Sequence, residues 1–162
     1  MTELFRALAI CLLIASGAAA QARTSQGVVS HVTDGDTLWV RPLGGGAPYA
    51  VRLEGIDAPE ICQAWGERSR DALAARALHQ RVKVASRRTD EYQRALGRVS
   101  VDGEDLGLWM VRHGHAWSYR FRGNHGPYAQ QENQARDLHL GLWRTVRPTP
   151  PREFRARHGS CH

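Results

Sequence analysis

The feature that most constrains the fold is a set of five short segments rich in β-branched and aromatic residues, each bounded by turn residues. Segments of this kind are typical of short β-strands. They cover residues 27–33, 37–42, 49–56, 81–85 and 94–101. A loop of Gly44, Gly45, Gly46 and Pro48 separates the second segment from the third, which predicts a hairpin.

Three further stretches predict helices. Residues 66–80 are dominated by Ala, Leu, Arg and Glu, which favour helix. Residues 104–113 end before Gly114, and residues 127–140 begin with a proline and end before Gly141, as helices often do. Five short strands with helices set among and after them predict an α+β, mainly β fold. We expect a five-stranded OB-fold barrel with about three packed helices, rather than a parallel α/β sheet.

Residues 1–20 have the pattern of a secretory signal peptide. Arg6 precedes the apolar run ALAICLLIASGAAA, which ends in small residues and is too short to span a bilayer. We predict cleavage after Ala20 or Ala22. The mature protein is then expected to be exported, to the periplasm or the medium, and to have no membrane association.

The rest of the chain divides into a domain and a tail. Residues 21–146 carry the predicted strands and helices and are expected to form one domain, active as a monomer. Residues 147–162 are rich in Pro and Arg. We interpret them as an extended tail that is ordered only if Cys161 or Phe154 pins it.

Export also bears on the cysteines. Cys11 lies in the predicted signal peptide, which leaves Cys62 and Cys161 in an oxidising compartment where thiols pair. A disulfide between them would tie the C-terminus back beside the acidic segment 57–60. It would close a loop of about 100 residues and stabilise the fold by about 4–5 kcal/mol, an upper figure. The alternative is two free or intermolecular thiols.

The chain is basic, with a formal net charge of +6. Such a balance favours polyanionic partners such as nucleic acid or anionic cell surfaces. Charge alone does not identify the partner, because many exported proteins are basic.

Acidic residues nevertheless cluster at the ends of two predicted strands, in DGDT (34–37) and DAPE (57–60). A symmetric hairpin centred between Gly46 and Ala47 puts Asp36 opposite Asp57. Directly opposed side chains have Cβ atoms about 5 Å apart. Two carboxylates at that distance repel each other unless a cation lies between them.

The donors available at this point are all oxygen atoms: Asp36, Asp57, Asp34 and a backbone carbonyl near Ala58. Oxygen-only sites select hard cations, Ca²⁺ first or Mg²⁺, rather than Zn²⁺. The alternative is structural. Asp34 and Gly35 form a common turn pair, and DAPE alone could be an exposed loop of solvated acids.

Two arginines and a glutamate add the groups that phosphoryl chemistry needs. Guanidinium groups beside a divalent cation stabilise charge on phosphate oxygens, a role that suits Arg52 and Arg94. Glu60 follows the predicted metal site and could activate or orient a water. Strict alternation puts Arg52 and Asp57 on opposite faces of one strand, so we expect a bulge at Gly55 to re-aim one of them. The alternative for each arginine is an exposed strand position.

Four motifs together resemble those of the thermonuclease family, the staphylococcal-nuclease-like phosphodiesterases. They are DGDT (34–37), VRLEGIDAPE (51–60), DEYQRALGRV (90–99) and the helical end HGHAW…ARDLHLGLW. The resemblance covers nearly all of the mature chain. It implies an OB barrel with three helices and a Ca²⁺-dependent endonuclease that acts on DNA and RNA and leaves 3′-phosphates.

The resemblance also implies a role for individual residues. It assigns the metal ligands to Asp36, Asp57 and the backbone carbonyl of position 58, and the general base to Glu60. The arginines that bind the phosphate would be Arg52 and Arg94, with Tyr92 as an aromatic side chain near the nucleotide.

The sequence departs from the family pattern at several of these places. Ala58 replaces a Thr, which a carbonyl ligand tolerates, and Gln93 replaces the usual Gly before Arg94. Arg120 and Arg122 stand where aromatic residues are expected near the substrate, so we expect charge to replace stacking there.

Three other interpretations compete with the nuclease hypothesis. One of them, a structural envelope protein, would need neither the basic residues nor the pair of carboxylates. A non-catalytic OB-fold module that binds nucleic acid would need basic residues but no pair of carboxylates. A histidine-metal nuclease would use His113, His115 and His125, yet no Cys/His spacing matches a zinc site, and we expect these histidines at surfaces and helix ends.

Overall fold

The structure is a computed structural model that describes residues 23–119 and 123–161. The predicted signal peptide, Arg120 and Arg122 lie outside the described residues. The strands are β1 Arg23–Val32, β2 Thr37–Pro42, β3 Tyr49–Leu53, β4 Ile56–Asp57, β5 Arg81–Thr89, β6 Ala95–Val101, β7 Glu104–Asp105 and β8 Trp117–Ser118. The α-helices are α1 Gly66–Ala77, α2 Leu106–Arg112, α3 Ala129–Asp137 and α4 Pro151–His158, and Gly141–Arg144 form a 3₁₀ turn.

Five strands close into a barrel. Their order is β3-β2-β1-β5-β6, with antiparallel neighbours, and β3 and β6 pair in parallel to close the ring. β7 extends the sheet beyond β6, while β4 and β8 form a separate two-stranded sheet. The predicted fold class, a mainly β OB-type barrel with packed helices, is confirmed.

The barrel interior is filled by apolar side chains at alternate strand positions, as the pleat requires, except at the irregularity between Val29 and His31 of β1. The buried strand residues are Val29, Val32, Leu38, Val40, Val51, Leu53, Val82, Val84, Val99 and Val101. Helices α1 and α2 complete this core with Leu73, Ala77, Leu106, Met110 and Val111. A second cluster joins Trp117 of β8 to Ala135, Leu142 and Trp143.

The predicted register of the β2–β3 hairpin is wrong. Thr37 pairs with Arg52 and Val40 with Tyr49, four positions away from the symmetric pairing expected from the glycine loop. The shift is even, so it leaves every side chain on its predicted face. It arises because β3 ends at Leu53, before Gly55 turns the chain, and Asp36 therefore lies opposite Leu53 rather than Asp57.

The tail is ordered and Cys161 is bonded, as the prediction required, but residues 151–158 form α4 rather than an extended segment. Pro151 occupies the first turn, where its fixed φ suits a helix and its missing N–H costs nothing. Cys62 and Cys161 form a disulfide across 99 residues, and Gln63 Nε2 donates a hydrogen bond to the Thr149 carbonyl at 2.6 Å. These links attach the segment to the loop that follows β4. Across residues 23–119 and 123–161, no helix has both the length and the apolarity to span a bilayer.

Candidate active site

Asp36, Arg52 and Asp57 meet at one end of the barrel. Arg52 Nη1 donates to Asp36 Oδ1 at 2.6 Å, and Arg52 Nη2 donates to Asp57 Oδ1 at 3.4 Å. Only 3% of Asp36 and 5% of Asp57 is exposed, which is unusual for carboxyl groups unless they are paired. The structure therefore brings the two predicted ligands together, through a shared guanidinium rather than through direct cross-strand pairing.

A tight turn before β2 fixes the Asp36 carboxyl group. Asp34 Oδ1 accepts a hydrogen bond from the Asp36 N–H at 2.9 Å, while Asp36 Oδ2 accepts one from the Ala58 N–H at 3.1 Å. A Cβ on Gly35 would lie 2.0 Å from the Ser69 Oγ. Glycine is therefore needed here so that the turn can approach α1 closely.

Gly55 brings Asp57 to the side of Arg52. It has a φ of +85°, and a Cβ at this position would lie 2.6 Å from Pro127 Cγ. The chain turns at Gly55, so the strict strand alternation that would separate Arg52 from Asp57 ends at Leu53. A turn between β3 and β4, rather than the predicted bulge, thus interrupts the strand at Gly55.

The short strand β4 is held by β8 and α3. Asp57 pairs with Trp117, and the next β8 residue, Ser118, donates its N–H to Glu132 Oε2 at 2.8 Å. Glu132 is fully buried and also accepts from Arg136 Nη2 at 2.6 Å. The buried Glu132 carboxylate, paired with the partly exposed Arg136, thus places β8 and with it Asp57.

The structure adds an arginine that the sequence interpretation did not assign to the site. Arg155 of α4 donates from Nη1 to Asp57 Oδ1 at 3.2 Å and to Glu60 Oε1 at 2.8 Å. Its Nη2 donates to Asp57 Oδ2 at 3.2 Å. The one signal that could have indicated this contact is the cysteine pair, since a disulfide from Cys62 to Cys161 returns the C-terminus to this loop.

Arg94 lies at the entrance of the site and is held by Asp90. Its backbone N–H and its Nε donate to the two carboxylate oxygens of Asp90 at 2.9 and 2.8 Å, and its Nη1 lies 3.4 Å from Thr37 Oγ1. Gln93 adopts a φ of +62°, so the residue that replaces glycine keeps the left-handed turn. Tyr92 is 71% exposed, and its ring lies 5.2 Å from the Arg94 Cζ.

Burial and charge shift several pKa values in opposite directions. Burial, reinforced by Asp36, raises the pKa of Asp34 to about 7. Burial also raises the pKa of Asp57, although Arg155 and Arg52 act against this. For Arg52, burial acts to lower the pKa, but the attraction of Asp36 and Asp57 outweighs it and raises the pKa. Asp90 has a lowered pKa, because the Arg94 hydrogen bonds exceed the effect of burial.

The donor chemistry of the site fits a hard divalent cation. Asp36 and Asp57 are buried, carry only oxygen donors and share one guanidinium, so a small cation could replace part of the positive charge between them. In the described part of the chain, no group of three His, Cys, Asp or Glu residues is arranged to hold a metal ion. A calcium site would therefore have to draw on other ligands, such as the Ala58 carbonyl that the sequence predicts or water molecules.

The histidines proposed as an alternative centre are engaged elsewhere. His113 Nδ1 lies 2.8 Å from the Trp109 carbonyl, and His115 Nδ1 accepts a hydrogen bond from Trp65 Nε1 at 3.3 Å. Burial, reinforced by His113, lowers the pKa of His115 to about 4. The His125 carbonyl accepts from a serine hydroxyl, and His125 joins no metal-ligand cluster of the described residues.

A groove of about 1040 Å³ opens beside this cluster. Among the described residues that line it are the arginines Arg52, Arg87, Arg88, Arg94, Arg98 and Arg155 and the acids Glu54, Asp90 and Glu91. Tyr92 and Tyr119, both exposed, also line it. Guanidinium groups interleaved with aromatic rings suit a single nucleic-acid strand, because they offer partners to both phosphates and bases.

Several known proteins are similar in sequence to this chain over most of its length. Protein ParB of Escherichia coli is 39% identical over 92% of this chain and 87% of its own length. A micrococcal nuclease of Shigella flexneri is 34% identical over 92% and 89%, and an uncharacterized endonuclease of Haemophilus influenzae is 35% identical over 78% and 71%. The model of the family described as staphylococcal nuclease homologue matches residues 50–145, more than half of the chain. Arg52, Asp57 and Arg94 all lie within the matched residues, and the chain is therefore a member of the staphylococcal nuclease homologue family.

Proposed function

We propose that this protein is an exported, calcium-dependent endonuclease that hydrolyses phosphodiester bonds of DNA and RNA without sugar specificity and leaves 3′-phosphate ends. Family membership supports endonuclease activity on nucleic acids. The observation that carries the finer proposal is the assembly of Asp36, Arg52, Asp57 and Glu60 at one end of the barrel, beside an arginine-lined groove.

In this proposal Asp36, Asp57 and the Ala58 carbonyl would hold Ca²⁺. A bound Ca²⁺ supplies Lewis-acid polarisation of a phosphate oxygen. The buried carboxyl groups already lie on either side of one guanidinium, so the site binds positive charge where little water reaches it.

The side chains of this chain supply the other functions. Arg52 and Arg94 donate hydrogen bonds to the non-bridging oxygens, whose negative charge grows as the phosphorus becomes five-coordinate. Glu60 accepts a proton from an attacking water and directs that water in line with the leaving oxygen. Breaking the bond on its 5′-oxygen side leaves the phosphate on the 3′-oxygen and gives a 5′-hydroxyl.

Substrate contacts are assigned to the groove. Tyr92 is exposed and offers a stacking surface for a base, and Arg87, Arg88 and Arg98 bind phosphates along the strand. Arg120 and Arg122 are proposed to extend this basic surface. Contacts to phosphate and base faces do not read the 2′-hydroxyl, which supports activity on both DNA and RNA.

Export is proposed from the predicted signal peptide at residues 1–20. The Cys62–Cys161 disulfide supports a destination in an oxidising compartment, the periplasm or the medium.

Incubation of the purified mature protein with single- and double-stranded DNA and with RNA tests this function. We expect degradation with Ca²⁺, none with a chelator, and 5′-hydroxyl ends that polynucleotide kinase labels without phosphatase treatment. A gel shift without cleavage in Ca²⁺ would instead indicate a nucleic-acid-binding module. Cleavage that persists in chelator would contradict the metal requirement.

A further inference from the structure

Arg155 contacts the proposed active site from outside the residues that match the family. The family model ends at residue 145, whereas Arg155 lies in α4. Its guanidinium bridges Asp57 and Glu60 through three hydrogen bonds of 2.8–3.2 Å. The Arg155 side chain is 30% exposed, against 7% for Asp57 and 18% for Glu60, so it covers the carboxyl groups from the solvent side.

The contact completes a row of alternating charges. Arg52 lies between Asp36 and Asp57, and Arg155 lies between Asp57 and Glu60. Carboxylates placed this close repel one another strongly at low dielectric, and each guanidinium offsets one such repulsion. Arg155 therefore allows Glu60 to lie beside Asp57.

The Glu60 side chain depends on Arg155 for its position. Its backbone N–H bonds to Gln63 Oε1 at 3.2 Å, which fixes the main chain but not the carboxylate. Among the described residues, the Arg155 guanidinium is the one donor to the Glu60 carboxylate. A general base must be held within hydrogen-bond reach of its water, and small displacements reduce rate sharply.

Helix α4 is not held by a core of its own. Of its eight residues only Pro151 is buried. Its attachments are the Cys62–Cys161 disulfide, the Gln63–Thr149 hydrogen bond and the Arg155 ion pairs. Two of these reach residues just after Glu60, so the disulfide positions the helix where Arg155 can reach the site.

We propose that Arg155 is a positioning residue of the active site, which holds the Glu60 carboxylate beside Asp57 and is delivered there by the disulfide-linked helix α4. This inference rests on the proposed nuclease function. It has a consequence for the cation as well, because Arg155 and Ca²⁺ both use the Asp57 carboxylate. Removing Arg155 should slow turnover and strengthen calcium binding, whereas a merely structural loss would weaken both.

The test compares Arg155→Gln and Arg155→Lys with Arg157→Gln, a control on the same helix whose side chain contacts exposed Glu153. We expect Arg155→Gln to lower kcat about 10- to 100-fold with KM within about twofold, because phosphate binding by Arg52 and Arg94 persists. Calorimetry without nucleic acid should show calcium affinity raised several-fold in this variant. Arg155→Lys should recover part of kcat, since an ammonium keeps the charge but not the bidentate geometry. Arg157→Gln should match the wild type.

The outcomes separate this role from the proposed function. Wild-type protein that fails to cleave contradicts the nuclease function and the positioning role with it. Cleavage by the wild type with an unchanged kcat in Arg155→Gln contradicts the positioning role alone. So does a slower Arg155→Gln with weaker calcium binding, since that combination is the signature of a structural role.

A second arm tests whether the disulfide acts through Arg155. Replacing Cys62 and Cys161 together by Ser should lower kcat in the wild-type background, because α4 loses its covalent link. In the Arg155→Gln background the same change should have no further effect on kcat, since residues acting through one contact are not additive. Additive losses at temperatures where each variant is folded would contradict this coupling.

Discussion

Two arginines hold the carboxyl groups of this site, and they come from very different parts of the molecule. Arg52 lies on a barrel strand five residues from Asp57. Arg155 lies on a surface helix, 98 residues from the same carboxyl group, and depends on a disulfide for its approach. The position of Arg52, on the barrel, is thus determined by core packing. The position of Arg155, on the surface helix, is determined by a few links at the surface. We expect the loss of Arg52 to lower stability more than the loss of Arg155, whose main effect should be on the position of Glu60.

Arg52→Gln should have the largest effect. It leaves Asp36 and Asp57 without the guanidinium they share, which should cost about 3 kcal/mol of unfolding free energy. It also removes a donor to the phosphate and should lower kcat about 100- to 1000-fold. Urea denaturation and steady-state kinetics measure these effects. Arg155→Gln should cost about 1 kcal/mol of unfolding free energy, because its ion pairs are more exposed. Equal losses of unfolding free energy in the two variants would contradict the difference between the two arginines.

Glu60→Gln should have the next largest effect, and on rate alone. Loss of a general base lowers kcat about 100-fold or more. The amide keeps an oxygen that can accept from Arg155, so the melting temperature should change little. Glu67→Gln in the exposed first turn of α1 is the matched control. Normal turnover in Glu60→Gln would remove Glu60 from the mechanism, and with it the reason for Arg155 to lie there.

The smallest expected effect comes from His115, whose ring lies near those of Trp65 and Trp109. Its pKa in the folded protein is about 4, lowered from 6.5. A lowered histidine pKa contributes stability that is present above pH 6.5 and is lost as the pH falls toward 4. We expect unfolding free energy to decline by about 1–2 kcal/mol over this interval, allowing for solvent screening.

His115→Gln should remove this part of the pH dependence, while His31→Gln, at an exposed strand position, should retain it. Urea denaturation at several pH values between 4 and 7 measures both. An unchanged slope in His115→Gln would show that the titration of this half-buried imidazole does not affect stability.

Much of the barrel could be predicted from local pattern. Alternation of apolar residues identified the strands, and glycine or proline at segment ends identified most boundaries. The hairpin register could not be predicted in the same way. A shift of four residues leaves every side chain on the same face, so Leu38 and Val40 face the core under either pairing. The turn at Gly55, packed against Pro127, decides between them.

The residues of the site likewise divide into those that local pattern predicts and one that it does not. Asp36, Arg52, Asp57 and Glu60 lie in short motifs at strand ends, so their candidacy could be inferred from residue type and spacing. The link from Arg155 could not, because its helix has little apolar surface and its partners are 95 and 98 residues away. The basic composition of the tail did not distinguish one contacting arginine from several solvated ones.

The amino-acid sequence by itself determined which segments form strands and helices, because periodicity and turn residues act over a few positions. It also determined that carboxyl and guanidinium groups lie close to the ends of the predicted strands. Only the tertiary structure decided which guanidinium lies on which carboxyl group. That choice depends on close packing at Gly35 and Gly55 and on a disulfide-held helix, and these bring together atoms that are distant in the chain.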